Sequence, residues 1–209
     1  MYKVFYFNPL RECTYVVWNG NRQCVIIDPG AITSREQERL AGFIGQEGLT
    51  VEAILLTHGH FDHVFGLYDI SQRDKVPVYM HPKDQAVFEG SEGFSKMLGL
   101  PYVPYTGPIL DIRECTSLLP EGLRFEVIET PGHTQGCVCL YLPNEGLMFC
   151  GDTIFCGSVG RTDHPGGDHD QMIESIRREI MPLPPETRLL PGHGHDTTIE
   201  EETLHNPYL

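Results

Sequence analysis

Between positions 58 and 63 the chain reads His58-Gly59-His60-Phe61-Asp62-His63, and three further side chains able to bind metal, His133, Asp152 and His193, stand far downstream. Each of these four places follows a short apolar run, which closes at Thr57, Thr130, Cys150 and Leu190. Loops at the carboxyl ends of neighbouring strands converge on one crevice, so ligands distant in sequence meet there on rigid supports. Histidines at i and i+2 of an extended chain point to the same side, which lets His58 and His60 share one ion, while a turn at Phe61 carries Asp62 and His63 towards a second. The expected division is His58, His60 and His133 on one ion, Asp62, His63 and His193 on the other, and Asp152 bridging both. Imidazole and carboxylate donors without an obligatory thiolate suit zinc first, and also iron or manganese. Such ions lower the pKa of water from ~15.7 to ~7, so the expected reaction is attack of a bridging hydroxide on a carbonyl. Asp62 is the candidate catalytic residue, orienting the hydroxide or accepting its proton.

An isolated histidine is more often a solvated or hydrogen-bonded residue than a ligand, and this chain has ten. Recurrence at the ends of four apolar runs separates the five proposed ligand histidines from the rest. His81, His164, His169 and His205 lack that placement and read as structural or solvated, with His195 balanced between the two readings.

The runs that must position these residues are legible as elements. Val4–Phe7, Thr14–Trp18 and Cys24–Ile27 are β-branched or aromatic strands, with Asn19-Gly20-Asn21 as a hairpin turn. Thr33 and Glu36 form a capping-box pattern opening a helix over Ser34–Glu47, with Gly48 as its stop. Val51–Thr57 and Val76–Met80 follow as strands, and His81-Pro82 opens a short helix. Residues 90–121, rich in Gly, Pro and Tyr, show no sustained periodicity and read as a long surface excursion, a candidate lid. Strands at Leu123–Glu129, Val138–Leu142, Leu147–Cys150 and Arg188–Leu190, with a helix over Asp170–Glu179, complete the pattern. Two groups of strands, each followed by helix, predict two packed sheets with helices outside, an α/β architecture in one domain over 1–209.

Composition narrows the function classes. The sequence has 209 residues with 15 basic and 29 acidic side chains, a formal net charge of −14. That charge repels nucleic-acid phosphate and anionic lipid, so neither is an expected partner. No signal-peptide pattern and no membrane-spanning run is evident, and the expected location is cytoplasmic. Seven cysteines without a CxxC motif read as reduced thiols. Cys24, Cys137, Cys139 and Cys150 are expected as small buried hydrophobes, and Cys156, just past Asp152, as a candidate to face the site.

THGHFDH, PGHTQGCVCLY, CGDTIF and PGHG resemble the successive motifs of the metallo-β-lactamase superfamily hydrolases, spread over most of the chain. Within that superfamily GSVGRTD, GGD and the closing TTIEEE with NPYL look most like the short glyoxalase II-like proteins. The resemblance implies a four-layer αβ/βα sandwich, the same seven ligands, and hydrolysis of a small thioester of the hydroxyacylglutathione type. It also implies that Asp28 in IIDPG supports the site from behind the ligands. Arg161 stands where longer relatives have a lysine that contacts glutathione, so it is either a substrate-binding residue or half of a structural ion pair. His164 and His195 replace what are usually Phe and Pro in the short relatives. A persulfide dioxygenase, holding one iron through His58, His133 and Asp152, is the alternative activity, with lactone or ester hydrolysis a further one and a non-enzymatic metal-binding role the remaining class.

Overall fold

The structure, a computed structural model, describes residues 1–209. In chain order the first half contains β1 (Tyr2–Phe7), β2 (Glu12–Trp18), β3 (Gln23–Ile27), α1 (Ser34–Gln46), β4 (Thr50–Leu55), α2 (Leu67–Asp74), β5 (Val78–Met80), α3 (Gln85–Met97), β6 (Ile109–Asp111) and α4 (Cys115–Leu118). The second half contains β7 (Glu126–Glu129), β8 (Val138–Leu142), β9 (Leu147–Gly151), β10 (Ile154–Phe155), β11 (Ser158–Val159), α5 (His169–Ser175), β12 (Arg188–Pro191), β13 (Thr197–Thr198) and α6 (Ile199–His205). A π-helical turn over Ile176–Ile180 continues α5. One six-stranded sheet runs β1-β2-β3-β4-β5-β6, and a five-stranded sheet runs β13-β12-β9-β8-β7. Both are mixed: β1 to β3 and β7 to β9 pair antiparallel, whereas β3 to β6 and the β9–β12 pair are parallel.

Strand side chains alternate between faces, and here both faces of each sheet are apolar because both are covered. Tyr15, Val17, Val25, Ile27, Ala53 and Leu55 of the first sheet meet Val138, Leu140, Leu142, Leu147 and Phe149 of the second in a core between the sheets. The alternate set, Val16, Cys24, Ile26 and Ile54, packs under Leu40 and Ile44 of α1, Leu67 and Ile70 of α2, and Phe88 of α3. Cys139, Tyr141, Met148 and Leu189 likewise pack under Met172 of α5, Ile176 and Ile180 of the π turn, and Ile199 of α6. The layers are therefore helix, sheet, sheet, helix, as the resemblance implied. Cys24, Cys137, Cys139 and Cys150 are buried, and Cys156 is exposed.

Thr33 caps α1 as expected, its hydroxyl accepting from the Glu36 N–H while the Glu36 carboxylate accepts from the Thr33 N–H. The expectation of an irregular excursion over 90–121 is corrected: α3 reaches Met97, β6 and α4 are regular, and within that span only 98–108 and 119–121 lack regular structure. The pattern was hidden because the buried face of α3 is Phe88, Ser91 and Ser95. Its exposed face carries Phe94 and Met97. Counting apolar residues reads such a helix inside out. Helix α2 was not expected at all; it is eight residues long and buries only Leu67, Ile70 and Ser71. No helix is long and apolar enough to cross a membrane.

Candidate metal centre

Each anticipated donor lies just beyond the carboxyl end of a strand: His58 to His63 after β4, His133 after β7, Asp152 after β9 and His193 after β12. Asp62 and His63 are carried by a 3-10 turn over Phe61–His63. Cross-links draw the four loops together. The Val138 N–H donates to the Thr57 carbonyl at 2.9 Å, and the Gly192 N–H to the Gly151 carbonyl at 2.7 Å. The Cys13 N–H donates to Gly192 O at 2.7 Å, and Glu12 bridges to His193, seating the last loop against β2 of the other sheet. Two glycines permit this closeness, since a Cβ on Gly160 would lie 1.8 Å from the Asp152 carbonyl oxygen and one on Gly192 would lie 2.3 Å from Asp152 Oδ1.

The seven side chains converge as two clusters. Donor atoms of His58, His60 and His133 lie within 4.8 Å of one another, and so do those of Asp62, His63 and His193. Asp152 stands between them, 3.6 Å from His133 Nε2 through Oδ2, 3.5 Å from His63 Nε2 through Oδ1, and 3.7 Å from His193 Nε2.

Hydrogen bonds behind the rings orient them. The Thr57 hydroxyl donates to Asp28 Oδ2 at 2.6 Å and receives the Nδ1–H of His58 at 3.1 Å. His63 Nδ1–H donates to the same Asp28 oxygen at 3.1 Å, His133 Nδ1–H to the Arg161 carbonyl at 2.6 Å, and His193 Nδ1–H to the Leu10 carbonyl at 3.1 Å. Four imidazoles therefore commit Nδ1 outward and leave Nε2 facing inward, the arrangement that metal-ligating histidines adopt. His58 Nε2, His63 Nε2 and Asp152 Oδ1 are buried without a hydrogen-bond partner. A buried polar atom left unpaired costs ~1–3 kcal/mol, and a cation in each cluster is a partner that suits these acceptors. His60 Nδ1 lies 2.9 Å from His133 Nε2, close to the ~3.3 Å that separates two nitrogens sharing a tetrahedral ion at ~2.0–2.1 Å. The donor set fits divalent ions.

Electrostatics divide the clusters. Burial holds His58 well below its ordinary pKa, lowers His60 to about 3, and lowers His133. Burial also opposes charge on His63 and His193, but Asp62 and Asp152 outweigh it and raise both. The same pairings, with His63 foremost, overcome burial to hold Asp62 low and Asp152 well below the usual carboxylate range. The His58, His60 and His133 cluster is thus already neutral near pH 7. His63 and His193, protonated at and above their ordinary 6.5, must release protons to bind, so affinity of that cluster alone should rise with pH. Calorimetric metal titration of the stripped protein in buffers of different ionisation enthalpy should show proton release in one binding step. Equal release in both steps would contradict this division.

Three residues that shape the site escaped the sequence reading. Asp84 is fully buried; Oδ2 accepts from the Gly59 N–H at 2.9 Å and the Thr134 hydroxyl at 2.7 Å, and Oδ1 accepts from the Gly136 N–H at 2.7 Å. It ties the His58–His60 loop to the His133 loop. Glu12 is also fully buried, accepts from the Thr14 hydroxyl at 2.8 Å, and burial pushes its carboxyl well above the ordinary range. His164, expected as structural or solvated, lies against His60 and His133 with ring centroids 4.8 Å from each. No local signal marks these three, since their partners are remote in sequence. His169, His195 and His205 are exposed, and buried His81 accepts from the Lys83 N–H. The Arg161 guanidinium is 78% exposed and pairs with Asp163 at 2.9 Å, the ion-pair role weighed for it.

A family model described as the metallo-beta-lactamase superfamily matches residues 9–193. Hydroxyacylglutathione hydrolase GloC of Haemophilus influenzae is 35% identical over 93% of this chain and 91% of its own length. Among solved structures, the B3 metallo-beta-lactamase BLEG-1 superposes with a TM-score of 0.90 at 37% identity, covering 100% of this chain and 99% of that one. TTHA1623 in a di-iron-bound form gives 0.87 at 39% identity, covering 99% and 100%.

Proposed function

The chain belongs to the metallo-β-lactamase superfamily, and within it we propose that this metal-dependent hydrolase cleaves a small thioester of the hydroxyacylglutathione type. Supporting this reading above all is the set of four imidazoles whose outer nitrogens are tied to oxygens while their inner nitrogens face two clusters joined by Asp152. In the proposal His58, His60 and His133 hold one ion, Asp62, His63 and His193 the other, and Asp152 is shared. Two divalent ions, zinc first, supply Lewis acidity towards a carbonyl and lower the pKa of water from ~15.7 to ~7.

The remaining work falls to the chain. Asp62, whose Oδ2 lies 3.1 Å from His193 Nε2, orients the attacking water or accepts its proton. A thiol of pKa ~8–9 leaves as thiolate unaided, so no dedicated acid is needed. Arg161 beside the His133 loop offers its guanidinium to a substrate carboxylate, which would compete with Asp163. The name of GloC supports the hydroxyacylglutathione class.

The di-iron form of TTHA1623 makes iron the metal to test after zinc, and persulfide oxidation with one iron on His58, His133 and Asp152 is the rival redox reading. Likeness to BLEG-1 makes a β-lactam the rival hydrolytic substrate. Element analysis of protein purified without added metal, with the same sample assayed on S-lactoylglutathione, glutathione persulfide and a chromogenic β-lactam, separates the three. The expected result is two divalent ions per chain and thioester hydrolysis that stops on chelation and consumes no oxygen. Oxygen uptake with a single iron, or β-lactam turnover exceeding thioester turnover, would reject the thioester reading.

A further inference from the structure

Four of the five imidazoles at the centre are held from behind by an oxygen; His60 is not. Its only hydrogen-bond contact is the 2.9 Å approach of Nδ1 to His133 Nε2, inside the cluster, and its outer edge meets no carbonyl or carboxylate. The ring that packs against it is that of His164. The His164 ring stands edge-to-face to His60 at 4.8 Å and 88°, and to His133 at 4.8 Å and 86°. Its Nε2 lies 3.3 Å from His133 Nδ1, whose proton is already committed to the Arg161 carbonyl at 2.6 Å. The contact is therefore one of packing.

The turn that carries His164 is anchored to the His133 loop. Within the turn, the Gly167 N–H donates to the His164 carbonyl at 2.9 Å; the Asp168 N–H then reaches Gly132 O at 2.8 Å, and Gln135 Nε2 reaches Gly166 O at 2.9 Å. These bonds place the His164 imidazole independently of any ligand. We propose that His164 is a positioning residue: its ring clamps His60 and His133 from outside and supplies the orientation that His60 lacks from hydrogen bonding. Edge-to-face aromatic pairs contribute beyond their buried area, and loss of the groups that orient metal ligands weakens affinity by roughly 10–100-fold.

The inference rests on the metal centre proposed above, and the test keeps the two apart. Stripped parent protein, H164A and H164F are titrated with zinc against a competing chelator, and with cobalt for its visible absorption; H169A serves as an exposed control. H164A should weaken one of the two binding steps by about 10-fold or more and alter the cobalt spectrum, leaving the other step and the melting temperature of the stripped protein unchanged. H164F, which keeps a planar ring, should recover most of that affinity. H164A with both affinities and the cobalt spectrum of the parent would overturn the clamp alone, as would H164F no tighter than H164A. A parent that binds no ion would overturn the metal centre beneath it.

Discussion

Replacing Asp152 with alanine should remove bound metal and turnover together. Its carboxylate lies within 3.5–3.7 Å of inward-facing nitrogens on His63, His133 and His193, so of the two carboxylates in the donor set it is the one that reaches both clusters. Three imidazoles carry no negative charge to offset a divalent ion; the carboxylates supply it, and burial makes each charge count for more than it would in water. Loss of Asp152 also leaves Asp62 as the sole carboxylate of the seven donors. The expected fall in kcat/KM is about 10³-fold or more, the scale of a missing transition-state charge stabiliser, with fewer than two ions retained by element analysis. An Asp152→Ala protein that keeps both ions and more than a tenth of its turnover would end the bridging assignment. Asp152→Asn, which keeps the volume and removes the charge, separates an electrostatic role from a packing one.

Asp84→Ala is expected to give the largest loss of stability, although Asp84 is not among the proposed donors. The substitution strands the Gly59 and Gly136 N–H groups in a buried place and leaves the Thr134 hydroxyl with only the Cys137 sulfur as acceptor. Each buried group left unpaired costs ~1–3 kcal/mol, so a total near 3 kcal/mol is a conservative expectation against a typical folding stability of ~5–15 kcal/mol. For a domain of this size that lowers the melting temperature by roughly 6–12 °C. Relief by local shifts is limited, because a Cβ at Gly59 would already lie 2.9 Å from the Phe88 nitrogen and one at Gly136 would lie 2.8 Å from the Asp84 backbone nitrogen. The two loops that Asp84 joins carry all three members of one donor cluster, so zinc affinity at that cluster should fall too. Asp84→Asn, with one oxygen still accepting, should lose less. Scanning calorimetry of the stripped proteins and chelator competition on the loaded ones measure both effects. A melting temperature within 1–2 °C of the parent, with unchanged affinity, would show that water or backbone movement replaces the carboxylate at little cost.

How much was legible before the fold follows from the range of the interactions. His58-Gly-His60-Phe-Asp62-His63 announces itself because its donors are neighbours on a strand end and a turn, where side-chain direction is set by local backbone geometry. His133, Asp152 and His193 were legible by the same token, each following a short apolar run that reads as a strand. Helix α1 was written in a box of two residues three apart, Thr33 and Glu36. Helix α3 was not, because burial there fell to Ser91 and Ser95, which hydrogen-bond to the Gly59 and Leu100 carbonyls. No hydropathy pattern distinguishes such serines from solvated ones.

Periodicity and ligand type in the chain alone settled that two covered sheets would form and that imidazole and carboxylate donors would end their strands, since both depend on groups within a few residues of one another. Only the folded molecule decided which nitrogen of each ring faces inward, that Asp84 couples two ligand loops across 25 and 50 residues of chain, and that His164 stands against His60 and not in water. Those outcomes depend on distances between segments, and a distance of 3 Å between residues so far apart is a property of packing that no stretch of sequence carries.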